Sequence, residues 1–279
     1  MSNAFYYAKT PRGNTRTVSI TSGKGGVGKT TTVANLAYCL GALGKKTLIL
    51  DGDLGMANVD IMFGLRAQHS IHDVLNGKMN LEEVIVPVSP NVDLIPGGSG
   101  VYGLHNLSFA QKQVLLDQVG QLDEEYDFML IDTAPGIDDN VLYLNAAAQE
   151  ILVLVTPEPS SLTDAYAIIK VLNQKHQETR FSILCNQVKD EQEAMRVYQR
   201  LSDVADQFLC VSLDYRGYIP ADLNLRQATR SQQLVSMRNS DSPSSQKYLQ
   251  LAEKLSLPSD LVELKGSIQF FWEQLSGVA

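Results

Sequence analysis

The sequence predicts an α/β fold in which a doubly wound, mainly parallel sheet carries helices on both faces. Three observations lead to this prediction: short apolar runs recur along the 279-residue chain, most of them are apolar throughout, and helical patterns lie between them. Strands that are apolar throughout are buried on both faces, as in parallel sheets whose connections are helices. Because such sheets bind ligands at the carboxyl ends of their strands, the functional residues are expected there.

Seven strands are predicted from short runs of Val, Ile, Leu, Phe and Met. In chain order they are TVSI at 17–20, TLILD at 47–51, VDLIP at 92–96, FMLID at 128–132, ILVLV at 151–155, FSILC at 181–185 and FLCVSL at 208–213. Helical patterns lie at 29–43, 108–122, 138–147, 160–176, 190–206 and 242–256. The repeated order of strand, helix and strand implies right-handed crossovers. The polar stretch 238–246 is predicted to be a loop or hinge.

The composition is ordinary for a globular protein and argues against several functional classes. Hydrophobic residues make up 44% and charged residues 19% of the chain, and no apolar run reaches the length that spans a membrane. The beginning of the chain lacks the apolar core of a secretory signal, so a cytoplasmic location is expected. The formal net charge of -8 opposes broad nucleic-acid binding, and no direct nucleic-acid partner is expected.

The three cysteines, Cys39, Cys185 and Cys210, lie far apart and form no CxxC pair. This spacing argues against a disulfide framework, a zinc site or a metal-cluster loop, and it favours three small buried side chains. The four histidines also lack metal-ligand spacing. Any metal is therefore expected to arrive with the ligand.

The stretch SGKGGVGKTTT at 22–32 is a glycine-rich turn between a predicted strand and a predicted helix, and it matches GxxxxGK[ST]. Glycines let the backbone N–H groups turn toward phosphates, and the helix dipole adds positive potential. Lys29 is expected to bridge the β- and γ-phosphates, and Thr30 to bind Mg²⁺. The motif predicts a P-loop nucleoside triphosphatase. The predicted nucleotide-binding residues of the loop are Gly23, Lys24, Gly25, Gly26, Val27, Gly28, Lys29, Thr30 and Thr31.

Three aspartates lie at the ends of two predicted strands. They are candidates for the metal-binding and water-positioning roles that the phosphate loop alone does not provide. Asp132 ends the strand in MLIDTAPG and fits the Walker B position beside Mg²⁺. Asp51 is expected to hold a metal-bound water, and Asp53 to orient the attacking water. Gly136 stands where a backbone amide can sense the γ-phosphate. The competing interpretation for each aspartate is a cap or turn residue.

KGGVGKT together with DGDLGMAN and DTAPG resembles the deviant Walker A ATPases of the MinD and ParA group. The resemblance implies slow, Mg²⁺-dependent ATP hydrolysis and an ATP-dependent homodimer in which Lys24 reaches the partner's nucleotide. A second cation beside the phosphate loop is costly to hold in an empty monomer, which favours that arrangement. The alternative is that Lys24 is a solvated loop lysine.

DLGMANVDIMFGL and SSLTDAYAIIKVLNQ resemble the FlhG/FleN family of MinD-like flagellar-number regulators, and the resemblance runs from residue 17 to the tail. It implies that the protein controls the number and placement of flagella. By position it implies that Asn58 lies in switch I, 133–136 in switch II, Asn186 on the adenine, Pro220 and Asp222 around base and ribose, and Glu158 facing the partner's nucleotide. Without the family, a strand-end turn remains the alternative for Asn186.

Family resemblance also suggests partners: the GTPase FlhF, a FleQ-type σ54-dependent activator, or C-ring proteins. The DQAxxLR segment with which some FlhG proteins stimulate FlhF is absent from this sequence, so direct stimulation of FlhF is not implied. Four other readings stay open: a MinD-type division-site regulator, a ParA-type DNA- or cargo-positioning ATPase, a metal-cluster scaffold or reductase of similar fold, and an inactive module.

The predicted division of the chain is a flexible segment at 1–16, an ATPase domain at 17–257 and an amphipathic tail at 258–279. In SIQFFWEQL one helix face carries Ile268, Phe271, Trp272 and Leu275. The family resemblance makes this face a reversible membrane anchor, although the region has little positive charge. The alternative is packing against the protein's own body.

One local basic cluster comprises Arg226, Arg230 and Arg238. It is interpreted as a solvated helix face, with an acidic protein partner as the alternative.

Overall fold

The computed structural model describes residues 15–53, 58–98, 116, 118–119, 122, 126–257 and 271–272. An eight-stranded sheet in the order β3-β4-β2-β5-β1-β6-β7-β8 forms its centre. Every neighbouring pair is parallel except β3 and β4, which are antiparallel at one edge. In chain order the strands are β1 (Arg16–Thr21), β2 (Thr47–Gly52), β3 (Val86–Ser89), β4 (Val92–Ile95), β5 (Phe128–Thr133), β6 (Glu150–Val155), β7 (Arg180–Val188) and β8 (Ser212–Pro220).

Helices connect these strands, and further helical residues are described at 116, 118–119, 122 and 271–272. The predicted helix at 108–122 is thus helical where it is described, and its other residues lie outside the described part of the chain. In chain order the helices are α1 (Lys29–Ala42), α2 (Val59–Met62), α3 (Ile71–Leu75), α4 (Leu81–Val84), α5 (Asp139–Ala147), α6 (Pro159–His176), α7 (Glu191–Phe208), α8 (Leu223–Arg230), α9 (Val235–Arg238) and α10 (Pro243–Ser256).

The predicted α/β class and the two-sided cover of the sheet are confirmed. α1 and α10 pack on one face, where Ile49 and Leu130 point, whereas Leu48 and Met129 point to the opposite face. α5, α6 and α7 pack on that opposite face over the β6 and β7 side of the sheet. Successive strand residues therefore enter different cores, and because both faces are covered, both sets of residues are apolar.

The predicted strand at 208–213 is wrong in position, because α7 continues to Phe208 and β8 runs from Ser212 to Pro220. β8 is an edge strand and is only partly buried, so it contains Asp214 and Arg216 rather than a continuous apolar run. Cys210 consequently lies in the connection and is exposed. The prediction of three buried cysteines holds for Cys39 and Cys185 only.

The predicted loop at 238–246 is also shorter than expected. Ser242 caps α10, its hydroxyl accepting the N–H of Ser245 at 3.2 Å, so the helix begins at Pro243 and takes over the second half of the stretch. The antiparallel β3 was not predicted, because it is four residues long, contains Pro87 and lies at the sheet edge.

Phe271 and Trp272 are buried against the body of the protein. They are 0% and 1% exposed and join an apolar cluster with residues of β2, β5, α3 and α4. Ile268 and Leu275 lie outside the described residues, as do residues 1–14 of the predicted N-terminal segment. Within the described part of the chain, no helix combines the length and hydrophobicity needed to cross a bilayer.

Candidate nucleotide-binding site

The carboxyl ends of β1, β2 and β5 meet at one edge of the sheet and form the centre of the site. β1 lies between β5 and β6, and the chain visits the β5 side of the sheet before it returns to form β6. The loop after β1 therefore opens where the strand order reverses, which is where doubly wound sheets bind ligands. In the strand register Asp51 is opposite Asp132, which in turn is opposite Ile20 of β1.

The phosphate loop, residues 22–29, requires glycine for both conformation and space. Gly26 and Gly28 have φ angles of 77° and 94°, in the left-handed region that side chains disfavour. A Cβ on Gly28 would lie 2.6 Å from Nδ2 of Asn186, and one on Gly23 would lie 2.1 Å from the Asp164 carbonyl oxygen. The phosphate loop therefore packs closely against β7 on one side and α6 on the other.

Lys29 begins α1, and its side chain lies inside the loop. It is 7% exposed, and Nζ donates a hydrogen bond to Ser22 Oγ at 3.1 Å. Burial lowers the pKa of Lys29, while attraction to Asp132 and Asp53 opposes that shift. A lysine at the first turn of a helix, where backbone N–H groups point outward, is well placed to bind phosphate.

Asp51 and Asp132 form a buried pair of carboxylates, 1% and 2% exposed. Burial raises the pKa of each to about 7, although a hydrogen bond from the Thr30 side chain and the charge of Lys29 act against the rise for Asp132. Oδ1 of Asp132 is buried without a hydrogen-bond partner among the described residues. An unsatisfied buried carboxylate oxygen is costly and suits a ligand that binds there.

The Asp51 carboxylate binds three backbone N–H groups that follow it in the chain. It accepts backbone N–H groups from Asp53 at 3.2 Å, Asn58 at 3.0 Å and Val59 at 3.1 Å. The predicted switch I residue Asn58 and the start of α2 are therefore both hydrogen-bonded to Asp51, one member of the buried carboxylate pair (the acid pair, Asp51 and Asp132). Asp53 lies close enough to Lys29 to affect its pKa.

The residues present fit a Mg²⁺ ion that arrives with a nucleotide. Thr30, Asp51 and Asp132 converge through a hydroxyl–carboxylate hydrogen bond and a shared strand register. Within the described residues no group of three or more His, Cys, Asp and Glu side chains forms a metal site by itself. One hydroxyl and two carboxylates are a donor set that suits Mg²⁺, which takes its remaining ligands from phosphates and water.

A cavity of about 320 Å³ opens beside the phosphate loop, on the side of β7 and α8. Asn186 holds its inner wall: Nδ2 donates to the Val27 carbonyl at 2.7 Å, and Oδ1 accepts the N–H of Gln187 at 2.8 Å. This base-side cavity is lined by all three residues that were predicted to contact the base and ribose: Asn186, Pro220 and Asp222. Its lining comprises Gly26, Gly28, Thr31, Asn186, Gln187, Pro220, Ala221, Asp222, Leu225, Arg226, Thr229 and Arg230.

Asp222 lines this cavity, but both of its carboxylate oxygens are already engaged within the protein. Oδ1 caps α8 by accepting the N–H of Asn224 at 2.8 Å, and Oδ2 accepts the Ser244 hydroxyl at 2.6 Å and the Ser244 N–H at 3.2 Å. Burial alone would raise the pKa of Asp222, but these hydrogen bonds outweigh it and hold the pKa below its ordinary value. The residue fixes the wall of the cavity.

The Lys24 side chain extends from the phosphate loop to the start of α6. Its ammonium forms an ion pair with Glu158, the residue before α6, and donates to Ser160 Oγ at 3.0 Å. The side chains of Lys24 and Glu158 are 36% and 62% exposed. Two residues predicted to face a partner subunit are thus in contact with each other at the surface.

The predicted switch II segment, 133–136, packs against the phosphate loop. The Gly136 N–H donates to the Ser22 carbonyl at 3.1 Å, and the Thr133 hydroxyl donates to the Ile20 carbonyl at 3.0 Å. The amide expected to sense a γ-phosphate therefore bonds to the loop that would hold that phosphate.

Sequence reasoning missed Arg226 and Arg230 as parts of this site. They were interpreted with Arg238 as a solvated helix face. They are exposed, but they also line the base-side cavity. Arg238 instead lines a separate groove. The available signal was their i, i+4 spacing directly after the cap residue Asp222.

The sequence matches a protein family described as an AAA domain over residues 15–185. It is 38% identical over 258 residues to the antiactivator FleN of Pseudomonas aeruginosa, covering 92% of each chain. It is 36% identical over 226 residues to the flagellum site-determining protein YlxH of Helicobacter pylori, covering 80% of this chain and 76% of that protein. The fold is similar to the septum site-determining protein MinD complexed with Mg-ADP from Pyrococcus horikoshii, with a TM-score of 0.66 and 30% identity, covering 86% and 96% of the two chains.

Proposed function

Because the chain belongs to the MinD/ParA-type P-loop ATPases and stands close to FleN and FlhG within them, we propose that it is an ATP-dependent dimerising switch that controls the number and placement of flagella. The enzyme activity is ATP hydrolysis, and slow turnover would make the protein's state, rather than its product, the output. The observation that carries the proposal is the meeting of phosphate loop, acid pair and base-side cavity at one reversal of the strand order.

The residues around the phosphate loop divide the work of hydrolysis. Lys29 binds the β- and γ-phosphates and neutralises charge that builds up on them. Thr30 and Asp132 would hold Mg²⁺ directly, and Asp51 would hold one of its waters. When bound, the ion neutralises phosphate charge and orients the triphosphate. Asp53 orients the attacking water, because phosphoryl transfer depends mainly on positioning.

The Asn186 amide supports adenine over guanine as the base. One amide hydrogen and one Oδ1 lone pair are used inside the protein, which leaves one donor and one acceptor for the ligand. Adenine offers the complementary pair, an N7 acceptor and an N6 amino donor, whereas guanine offers two acceptors on that edge.

The surface position of Lys24 supports self-association. In this proposal the ammonium leaves Glu158 and binds the phosphates held by a second copy of the chain, so that two ATP molecules are enclosed between two subunits. The exposed side chains of Lys24 and Glu158 make this exchange accessible from the surface. Losing an exposed ion pair costs about 0 to 1 kcal/mol, which is less than the roughly 1.5 to 3 kcal/mol typical of a hydrogen bond to a charged group such as phosphate.

Flagellar partners and membrane contact complete the proposal. FlhF, a FleQ-type activator and C-ring proteins are the candidate partners, and the protein would work in the cytoplasm. The tail from residue 258, with Ile268, Phe271, Trp272 and Leu275 on one face, would bind the inner surface of the cell membrane reversibly. This tail follows an ATPase domain at 17–257 and a flexible segment at 1–16.

A MinD-type division-site regulator is the second candidate, supported by the 30% identity to the Pyrococcus horikoshii protein. Deleting the gene and counting flagella per cell distinguishes the flagellar role from the division role. A change in flagellar number with normal division is expected. Minicells with an unchanged flagellar number would contradict the flagellar proposal and favour the division role.

A further inference from the structure

The base-side cavity carries two positive charges that a bound adenosine does not account for. Arg226 and Arg230 are spaced i, i+4 on α8 and line the cavity together with Gly26 and Gly28 of the phosphate loop. Within the described part of the chain, neither guanidinium forms an ion pair or a hydrogen bond with another side chain. Base and ribose are uncharged, so a carboxylate or a phosphate is the chemically matched group for this pair.

The chain itself offers such a group at Glu158. Its carboxylate contacts the Lys24 ammonium, and the two side chains reach the surface at the same place. Wherever Lys24 goes in a dimer, Glu158 lies within a side chain's length of it. If Lys24 moves to phosphates held by a second copy, the Glu158 carboxylate loses its cation and arrives beside that copy's cavity.

We infer that Glu158 of one subunit pairs with Arg226 and Arg230 of the other in the ATP-bound dimer, which rests on the dimer of the proposed function. The intrachain pair Lys24–Glu158 is exchanged for two contacts between subunits: Lys24 with phosphate, and Glu158 with the arginine pair. Each nucleotide site is complete only when the partner subunit supplies both residues.

The balance of charges favours the contacts between subunits over the intrachain ion pair when ATP is bound. In the monomer Glu158 neutralises Lys24. The two arginines share the cavity lining with a single carboxylate, Asp222, whose oxygens are engaged by Asn224 and Ser244, and among the described residues neither arginine forms an ion pair. In the dimer the triphosphate compensates Lys24 and Glu158 compensates the arginines, in an interface that excludes water and so strengthens both contacts. The same carboxylate thus keeps the lysine paired in the monomer and joins the subunits in the dimer.

Charge reversal tests this pairing. Sedimentation velocity with Mg²⁺ and a non-hydrolysable ATP analogue is measured for the full-length chain, for R226E/R230E, for E158R and for the combination of all three. We expect each of the first two variants to weaken dimerisation at least about tenfold, and the combination to return to within about threefold of the unchanged protein. The control is R196E/R200E, an exposed arginine pair with the same spacing on α7 outside the cavity.

Binding of Mg-ADP to each variant, measured by calorimetry, separates the outcomes. Unchanged dimerisation of R226E/R230E, or no recovery in the combination, overturns the pairing and leaves the proposed dimer intact. A loss of ADP binding in R226E/R230E that E158R does not restore assigns the arginines to the nucleotide and also overturns it. If the unchanged protein stays monomeric with the analogue, the proposed function fails, and the pairing with it.

Discussion

Asp53 is the residue at which nucleotide binding and hydrolysis can be separated. Its backbone N–H bonds to Asp51, and its charge acts on Lys29, but it lies outside the buried acid pair. Asp53→Ala should therefore lower the ATP hydrolysis rate by at least about tenfold, because water positioning is lost. Mg-ATP binding and the ATP-dependent dimer should persist. A phosphate-release assay showing an unchanged rate would contradict the assignment of Asp53.

The buried acid pair predicts an unusual pH dependence of stability in the metal-free protein. The folded-state pKa of Asp132 is about 7, above the value for an unfolded chain, so the folded state holds this proton more tightly. The stabilising contribution of the protonated form is complete at low pH and is lost as the pH rises through 7. For one proton the slope is at most about 1.4 kcal/mol per pH unit between about pH 4 and 7.

Asp132→Asn removes this titration and isolates its effect. Relative to the unchanged chain, the variant should gain stability as the pH is raised from 5 to 7.5, measured by urea unfolding in the presence of a chelator. Thr163→Ala is a suitable control, because that exposed hydroxyl donates to the Pro159 carbonyl within α6 and has no other side-chain hydrogen bond in the described part of the chain. A stability difference between the Asp132→Asn variant and the unchanged chain that does not depend on pH would show that Asp132 is ordinarily ionised.

At the scale of elements, α8 is held in place by a contact from α10. Ser244 is fully buried and donates its hydroxyl to Oδ2 of Asp222, the residue that caps α8. Ser244→Ala should destabilise the fold by about 1 to 3 kcal/mol at neutral pH, because a buried carboxylate loses a donor. It should also weaken ATP binding, since α8 forms one wall of the base-side cavity.

The direction in which pH changes the cost of Ser244→Ala distinguishes a lost hydrogen bond to Asp222 from a simple loss of packing. The folded-state pKa of Asp222 is depressed, so its contribution is present above about pH 4 and is lost as the pH falls further. The cost of Ser244→Ala in urea unfolding should therefore shrink in acid. Ser256→Ala, which removes a hydroxyl from the end of the same helix, is the control.

The elements that sequence patterns predicted are those buried on both faces. Six of the seven strands were placed to within a few residues, because β1, β2, β4, β5, β6 and β7 are interior strands with apolar neighbours. β3 and β8 lie at the edges of the described sheet, where one side of the strand has no partner among the described residues and the apolar run is interrupted. The phosphate loop and Asp132 could be predicted as parts of one site because their chemistry is encoded locally. Arg226 and Arg230 could not, because only tertiary folding brings α8 to the loop.

For the whole molecule, the proposed function makes Lys24 the residue that decides whether two subunits join. Lys24→Ala should still bind Mg-ATP, because Lys29 and the glycine backbone, which are proposed to hold the phosphates, lie together in one chain. It should fail to form the ATP-dependent dimer in a sedimentation experiment. Lys170→Ala, a change at an exposed position farther along α6, serves as the control. Normal dimers of Lys24→Ala would contradict contact between subunits through this lysine.

Trp272 is the sole tryptophan of the chain, so its fluorescence reports the position of the tail. With ADP it should show the emission of a buried indole and resist quenching by acrylamide, as its 1% exposure implies. With the ATP analogue and anionic vesicles, it should become quenched by brominated lipid. Lys24→Ala under the same conditions should keep the buried signal, because a single tail binds weakly and two act together.

The energetics allow a nucleotide to move the tail. Phe271 and Trp272 bury similar apolar area against the protein or in a bilayer, so the hydrophobic terms of the two states nearly cancel. The docked indole Nε1 has no hydrogen-bond partner among the described residues, a cost of about 1 to 3 kcal/mol that the lipid interface removes. A nucleotide-dependent bias of about 1 to 3 kcal/mol then suffices to change the balance. If Trp272 stays inaccessible to brominated lipid while the protein dimerises, the tail is a fixed part of the core and membrane contact must come from another surface.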